Sequence, residues 1–200
     1  MCGKKIVPVL KQGDNVSLVA VSSPPESPAL VESAAAFIKK LGLNPIIGKS
    51  CYSDYGYLAG SDALRAHDLN QAFADPSIAG IFCIRGGYGL QRILDKIDFE
   101  NIRRNPKFFC GYSDITALHN TIPDRTGLVT FHTPMPATKK FATADPYTLE
   151  QFTRKIFGNA KGKVSNPPGH IWEFLQGGIA EGELCGGNLA IIASSLGTAR

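Results

Sequence analysis

Apolar and polar positions along the first two-thirds of the chain fall into blocks whose period switches between that of buried strands and that of amphipathic helices. Val16 to Val21 is a short apolar run ending at Ser22-Ser23-Pro24-Pro25, which predicts a buried strand opening into a polar loop. A helix follows. Ser27 stands at a capping position, Pro28 suits the first turn, Leu30, Ala34, Ile38 and Leu41 recur on one face, and Gly42 supplies the stop. Asn44 to Ile47 returns to the sheet, and the aromatic, glycine-punctuated stretch from Tyr52 to Gly60 reads as a loop. Ser61 opens a second helix with Ala66, Leu69 and Phe73 on its apolar face and Arg65, His67 and Asp68 on other faces; Asp75-Pro76 ends it.

Ala79 to Ile84 is the next apolar run, and it leads into Arg85-Gly86-Gly87-Tyr88-Gly89 before Leu90, Ile93, Leu94 and Ile97 at helical spacing. The same order of strand, glycine turn and helix recurs at Lys107 to Cys110, Gly111 to Asp114, and Ile115 to His119. Leu128 to Phe131 predicts another strand, closed by His132-Thr133-Pro134, and Thr148 to Phe157 a further helix. Residues 158–168, rich in Gly, Lys and Pro, read as a linker. Gly182 to Asn188 is then a glycine-rich approach to a helix carrying Leu189, Ile192, Ala193 and Leu196. This alternation predicts an α/β architecture with a parallel sheet and helices on both faces over residues 1–157. Residues 158–200 are expected to form a linker and the beginning of a smaller C-terminal domain. Ligands of such sheets bind beyond the carboxyl ends of the strands, so the turns after Ile84, Cys110 and Phe131 are expected to share one crevice.

Composition narrows the class. Of 200 residues, 44% are hydrophobic and 19% charged, which excludes a disordered chain. No apolar stretch reaches the ~18–20 residues of a membrane-spanning helix, and the start lacks a signal-type apolar core; the expectation is a cytoplasmic protein with no membrane association. The five cysteines (Cys2, Cys51, Cys83, Cys110 and Cys185) are scattered without a C-x-x-C pair, as reduced thiols are, and Cys83 and Cys110 sit in apolar runs as small buried hydrophobes. The net charge of +4 comes from 21 Lys and Arg against 17 Asp and Glu, with the cations in isolated pairs such as Arg103-Arg104 and Lys139-Lys140; this is too diffuse for a nucleic-acid surface.

Candidate chemistry gathers at the predicted crevice. Ser113 lies on a tight strand-to-helix turn two residues after Gly111, an arrangement similar to a nucleophile elbow, although Ile115 stands where the hydrolase G-x-S-x-G pattern has its last glycine. The alternative is a plain helix cap, a common use of Ser and Asp. Gly86-Gly87 suits a phosphate or a developing oxyanion, but the G-x-G-x-x-G spacing of a dinucleotide site is missing. Arg85 is a candidate for a substrate carboxylate, with a structural ion pair as the alternative. Of the four histidines, His119 is expected to point away from the turn, His67 lies on a surface-type helix and His170 in the linker. His132, at the carboxyl end of a strand, is the best-placed base or substrate contact. A thiol at Cys110 is a further, disfavoured candidate.

Taken in order, Tyr57-Leu58-Ala59-Gly60-Ser61-Asp62, Arg65, Asp68-Leu69, Ala72-Phe73, Asp75-Pro76, Cys83 to Gly89, Asn105-Pro106-Lys107, Gly111 to His119, Gly127 to His132 and Gly186-Gly187-Asn188-Leu189 closely resemble the LD-carboxypeptidase family of serine peptidases. The resemblance covers essentially the whole chain. It implies a flavodoxin- or Rossmann-like nucleophile domain, with Ser113 as nucleophile and an oxyanion hole formed by backbone N–H groups of Asp114 and of Gly86 or Gly87. It implies no metal and no cofactor. The family's triad is Ser-Glu-His, and no residue of this sequence matches the Glu and His, which are expected beyond residue 200. Residues 1–200 alone are therefore expected to be catalytically silent. Thr133 replaces a glycine common in the family after the Phe-His pair. The reaction implied is hydrolysis of an amide between an L-centre and a terminal D-amino acid, as when murein tetrapeptide loses D-alanine during cell-wall recycling. Cleavage of a peptide-nucleotide antibiotic is the alternative within the family, and muropeptide binding without catalysis the alternative outside it. A homodimer is among the assemblies compatible with the chain.

Overall fold

The chain builds a five-stranded, all-parallel sheet of order β2-β1-β3-β4-β5, with β1 at Asn15–Val19, β2 at Asn44–Ile47, β3 at Ile78–Cys83, β4 at Phe108–Gly111 and β5 at Phe131–His132. The computed structural model describes residues 4–158 and 166–198; Cys2 and residues 159–165 of the predicted linker lie outside them. The α/β architecture expected from the alternation is the one observed. Pro45, which has no N–H to donate, sits on the edge strand β2, where the loss is tolerated. The central strands β1, β3 and β4 are apolar almost throughout because both of their faces are covered.

Helices α1 (Pro28–Lys40) and α6 (Pro146–Phe157) pack on one face through Phe37 and Phe152, whose rings lie 6.1 Å apart, and Phe152 reaches Phe82 of β3 at 6.3 Å. On the same face Phe108 stacks on Phe131 at 4.3 Å. The other face carries α2 (Asp62–Ala74), α3 (Phe99–Arg104) and α4 (Thr116–Thr126), with Phe73 of α2 stacked on Phe109 of β4 at 6.0 Å. Alternation along β4 therefore sends Phe108 and Phe109 into opposite halves of the core.

Several elements differ from the sequence expectation. The inward face of α1 is Val31, Ala34, Ala35 and Ile38, with Leu30 and Leu41 only partly buried, and the Ser27 side chain makes no capping bond. Arg65, expected off the apolar face of α2, points into the protein and is fully buried. Leu90–Lys96 is a 3-10 helix, not an α-helix, and the short α3 follows it. The predicted fifth strand contracts to Phe131–His132, while Leu128 forms an isolated parallel bridge with Lys5. A short helix, α5, spans Lys139–Ala142. No helix among the described residues is long and apolar enough to cross a membrane.

Residues 166–188 contain no helix or strand and leave Ile171, Phe174, Leu175, Ile179 and Leu184 exposed. They lead to α7 (Leu189–Ser195), which docks on the start of α4: the Asn188 N–H donates to Thr116 Oγ1 at 2.9 Å. Gly187 approaches so closely that a Cβ there would lie 2.4 Å from the same oxygen.

Candidate active site

Strand β4 delivers Ser113 to the carboxyl edge of the sheet in an unusual backbone state. Its φ is +65°, and among the described residues it is the one non-glycine in the left-handed region. An L-residue held there costs about 1–2 kcal/mol, so the surroundings must enforce it. Gly111 contributes: a Cβ at that position would lie 2.9 Å from Cys83 Cβ and 3.0 Å from Ile115 Cγ1, so the strand and the following turn close on each other as only glycine allows. Residues Ser113–Ile115 form one 3-10 turn before α4. Neither the turn nor α4 is capped by a side chain, and the Ser113 hydroxyl has no hydrogen-bond partner among the described residues. The plain helix-cap reading is thus not realised, and the half-buried hydroxyl faces a cavity.

That cavity, about 250 Å³, is bounded by Ser113, Tyr112, Gly86, Gly87 and Arg85, with Glu26 and Lys139 at its rim. Gly86 abuts the serine: a Cβ on Gly86 would fall 2.9 Å from Ser113 Cβ and 3.1 Å from Oγ. Gly87 has φ +106° and presses on Ser23, whose Oγ would lie 2.3 Å from an added Cβ. The Gly86 carbonyl accepts from the Ser23 N–H at 3.0 Å, while the Gly86 and Gly87 amides find no acceptor among the described residues. Unpaired N–H groups beside a serine hydroxyl are the arrangement that receives an oxyanion. Arg85 and Lys139 both bind Glu26, at 3.1 Å and 2.5 Å. The hydrogen bond from Lys139, together with Arg85, holds the exposed Glu26 carboxyl below its usual range. Rim charge therefore favours an anionic ligand, since Arg85, Lys139 and Lys140 face one carboxylate.

The Asp114 side chain turns inward and accepts the Leu90 N–H at 3.0 Å. His119 also differs from expectation. It reaches back beneath the elbow, with Nε2 2.8 Å from the Gly111 carbonyl and Nδ1 2.8 Å from Thr130 Oγ1. Burial lowers its pKa to about 4, so at neutral pH it is the neutral tautomer that donates from Nε2 and accepts from the Thr130 hydroxyl. His132 lies 6.2 Å from the Tyr112 ring and lines a second cavity of about 560 Å³ with Tyr112, Thr133, Phe141 and Asp145; desolvation lowers its pKa. His67 and His170 are exposed. No histidine among the described residues hydrogen-bonds Ser113. Cys110 is buried and its thiol is pushed up to about 12, which removes the thiolate a cysteine nucleophile needs. Among the described residues no three His, Cys, Asp or Glu side chains gather as metal ligands.

The structure brings Ser113, Gly86, Gly87 and Arg85 together around one cavity and sets His132 in the neighbouring one, across Tyr112. Sequence reasoning passed over Ser23, Glu26, Thr116 and the inward Arg65. Arg65 had a legible signal, since it shares i, i+4 and i+7 spacing with Leu69 and Ala72.

A family model described as the LD-carboxypeptidase N-terminal domain matches residues 16–133. A probable murein peptide carboxypeptidase of Bacillus subtilis is 42% identical over 190 residues, which cover 94% of this chain and 59% of the relative. A murein tetrapeptide carboxypeptidase of Pseudomonas aeruginosa is 28% identical, over 92% of this chain and 60% of its own. The chain thus spans about 60% of the length of these curated relatives. Among solved structures, the microcin C7 self-immunity protein in its wild-type apo state superimposes with TM-score 0.82 at 25% identity, covering 96% of this chain and 66% of that one.

Proposed function

The chain belongs to the LD-carboxypeptidase family, and from that premise we propose that Ser113 is the nucleophile of a serine carboxypeptidase that removes a terminal D-amino acid from an L-configured centre, releasing D-alanine from murein tetrapeptide. One observation carries the reading: a strained left-handed serine whose hydroxyl has no partner among the described residues, set against a glycine turn whose Gly86 and Gly87 N–H groups also find no acceptor among them. Ser113 Oγ attacks the scissile carbonyl, and the oxyanion is received by the Asp114 N–H and by Gly86 or Gly87. Arg85 takes the substrate's terminal carboxylate, and His132 contacts the rest of the peptide from the second cavity. The family resemblance supplies the proton-accepting histidine and its orienting glutamate from outside residues 1–200, so this segment alone is expected to be silent. The reading places the protein in the cytoplasm, in cell-wall recycling.

The likeness to a microcin self-immunity protein supports a second substrate, a peptide-nucleotide antibiotic. Both are tested by incubating the full protein with a tetrapeptide stem carrying C-terminal D-alanine and, in parallel, with an aminoacyl sulfamoyl nucleoside. Release of D-alanine that Ser113→Ala abolishes supports the first reading. Cleavage of the nucleoside conjugate alone favours the second, and binding without turnover of either favours a non-catalytic muropeptide-binding domain.

A further inference from the structure

The peptide unit joining Gly89 to Leu90 is held at both of its polar atoms by buried charged side chains. Its carbonyl oxygen accepts from Arg65 Nη1 at 2.8 Å, and its N–H donates to Asp114 Oδ2 at 3.0 Å. Arg65 has no exposed surface and Asp114 only 2%. The same Nη1 also donates to the Val21 carbonyl at 2.7 Å, while Nη2 pairs with Asp62, which in turn binds Arg92 at 2.9 Å. Arg65 therefore joins the loop after β1 to the glycine turn after β3, and Asp114 joins that turn to the elbow after β4. Gly89 fits between them with φ +112° and no room for a side chain, since a Cβ would lie 2.4 Å from Leu58 Cδ2.

A buried guanidinium is costly to desolvate and a poor route to stability; what it provides is a single fixed geometry. The geometry fixed here is the one on which the proposed chemistry depends. Gly86 and Gly87, whose amides find no acceptor among the described residues and which line the same cavity as Ser113, lie just before the clamped peptide, and Asp114 is the residue after the nucleophile. We propose that Arg65 and Asp114 are positioning residues: by clamping the Gly89–Leu90 peptide they set the distance between the glycine-turn amides and Ser113, touching no substrate themselves. This rests on the reading of Ser113 as the nucleophile. It gives Asp114 two separate duties, its backbone N–H toward the oxyanion and its carboxylate toward the turn.

The test compares Asp114→Asn, Asp114→Ala, Arg65→Lys and Arg65→Met with wild type in the full protein. Asparagine keeps an oxygen for the Leu90 N–H and lysine keeps a cation in reach of the carbonyls; alanine and methionine keep neither. The expected result is a fall in kcat of about 100-fold for Asp114→Ala and Arg65→Met, in line with loss of one oxyanion donor, with KM within about threefold. Asp114→Asn regains at least about tenfold of that loss. In the folded variants, Leu90 amide exchange quickens and the Gly86 and Gly87 amide resonances shift. The proposal is overturned if Asp114→Ala keeps kcat within threefold of wild type, if the loss is accounted for by the unfolded fraction alone, or if Leu90 exchange and the glycine resonances do not change. Arg65→Lys and Asp114→Asn keep the test open should the larger changes fail to fold. The exchange and resonance measurements need no substrate, so a wild type without peptidase activity refutes the reading of the function while the clamp is still judged on its own.

Discussion

Gly86 packs against Ser113 so tightly that one added methyl group tests the whole arrangement. In Gly86→Ala the new Cβ would sit 2.9 Å from Ser113 Cβ and 3.1 Å from Oγ, with the flexible Met135 Cε at 3.3 Å. Carbon atoms rest at about 3.5–4.0 Å, so the turn and the serine must separate by about 0.6–1.1 Å. The serine has little freedom to retreat, because its left-handed backbone is pinned between the Gly111 contact and the following 3-10 turn. The glycine turn therefore moves, and its amides move with it. Donors to an oxyanion act at about 2.7–3.1 Å, and removing one costs about 100- to 1,000-fold in kcat, or ~2.7–4 kcal/mol. The expectation is that loss in kcat for D-alanine release, with KM little changed and a stability loss of about 1–2 kcal/mol for the overpacked contact. Gly177→Ala, at a position with nothing within 4 Å, is the matched control and should leave both quantities unaltered. A Gly86→Ala enzyme within threefold of wild type, with an unshifted melting temperature, refutes the argued contact.

The strain at Ser113 predicts that Ser113→Gly is more stable than Ser113→Ala by about 0.5–1 kcal/mol in chemical denaturation, because glycine relieves the left-handed cost at some expense in chain entropy; an equal or lower stability for the glycine variant contradicts it. Burial holds His119 neutral with a pKa of about 4, against about 6.5 in the unfolded chain. Below pH 6.5 the unfolded state binds a proton that the folded state refuses, so stability should fall as pH drops toward 4, by up to about 3 kcal/mol. Denaturation midpoints across that window should flatten in His119→Gln, and an equally steep dependence in the variant refutes the assignment. Among the described cysteines, Cys185 is exposed whereas Cys51, Cys83 and Cys110 are buried. Alkylation of the folded protein at pH 8 followed by peptide mapping should therefore label Cys185 and spare those three; rapid labelling of Cys110 reopens a thiol mechanism.

The strand and helix order was legible in the sequence because the period of apolar positions is set locally, over a few neighbouring residues. Val16 to Val21, Ala79 to Ile84 and Lys107 to Cys110 each carry enough buried surface to specify a central strand. Legibility failed where a residue's role is decided across the sheet. Arg65 was set apart from the helix's apolar face, but its Nη1 donates to carbonyls 44 and 24 positions away, while its buried Nε finds no partner among the described residues. His119 looked misdirected because its six-residue distance along the helix from Ser113 says nothing of the strand carbonyl it reaches. The 3-10 helix at Leu90–Lys96 buries Leu90 and Ile93 and partly buries Leu94, so its hydrophobic spacing alone does not separate it from an α-helix.

By itself the sequence determined the parallel α/β alternation, the two glycine turns at strand ends and a serine at one of them, since all are properties of contiguous chain. Only the tertiary structure decided that Ser113 is left-handed, that its hydroxyl caps nothing, and that Gly86 lies against it. Those facts follow from the closing of β3 on β4, which brings together backbone atoms that no local pattern relates. The sheet's packing, and not the turn's own preferences, holds the serine in a conformation it would otherwise leave.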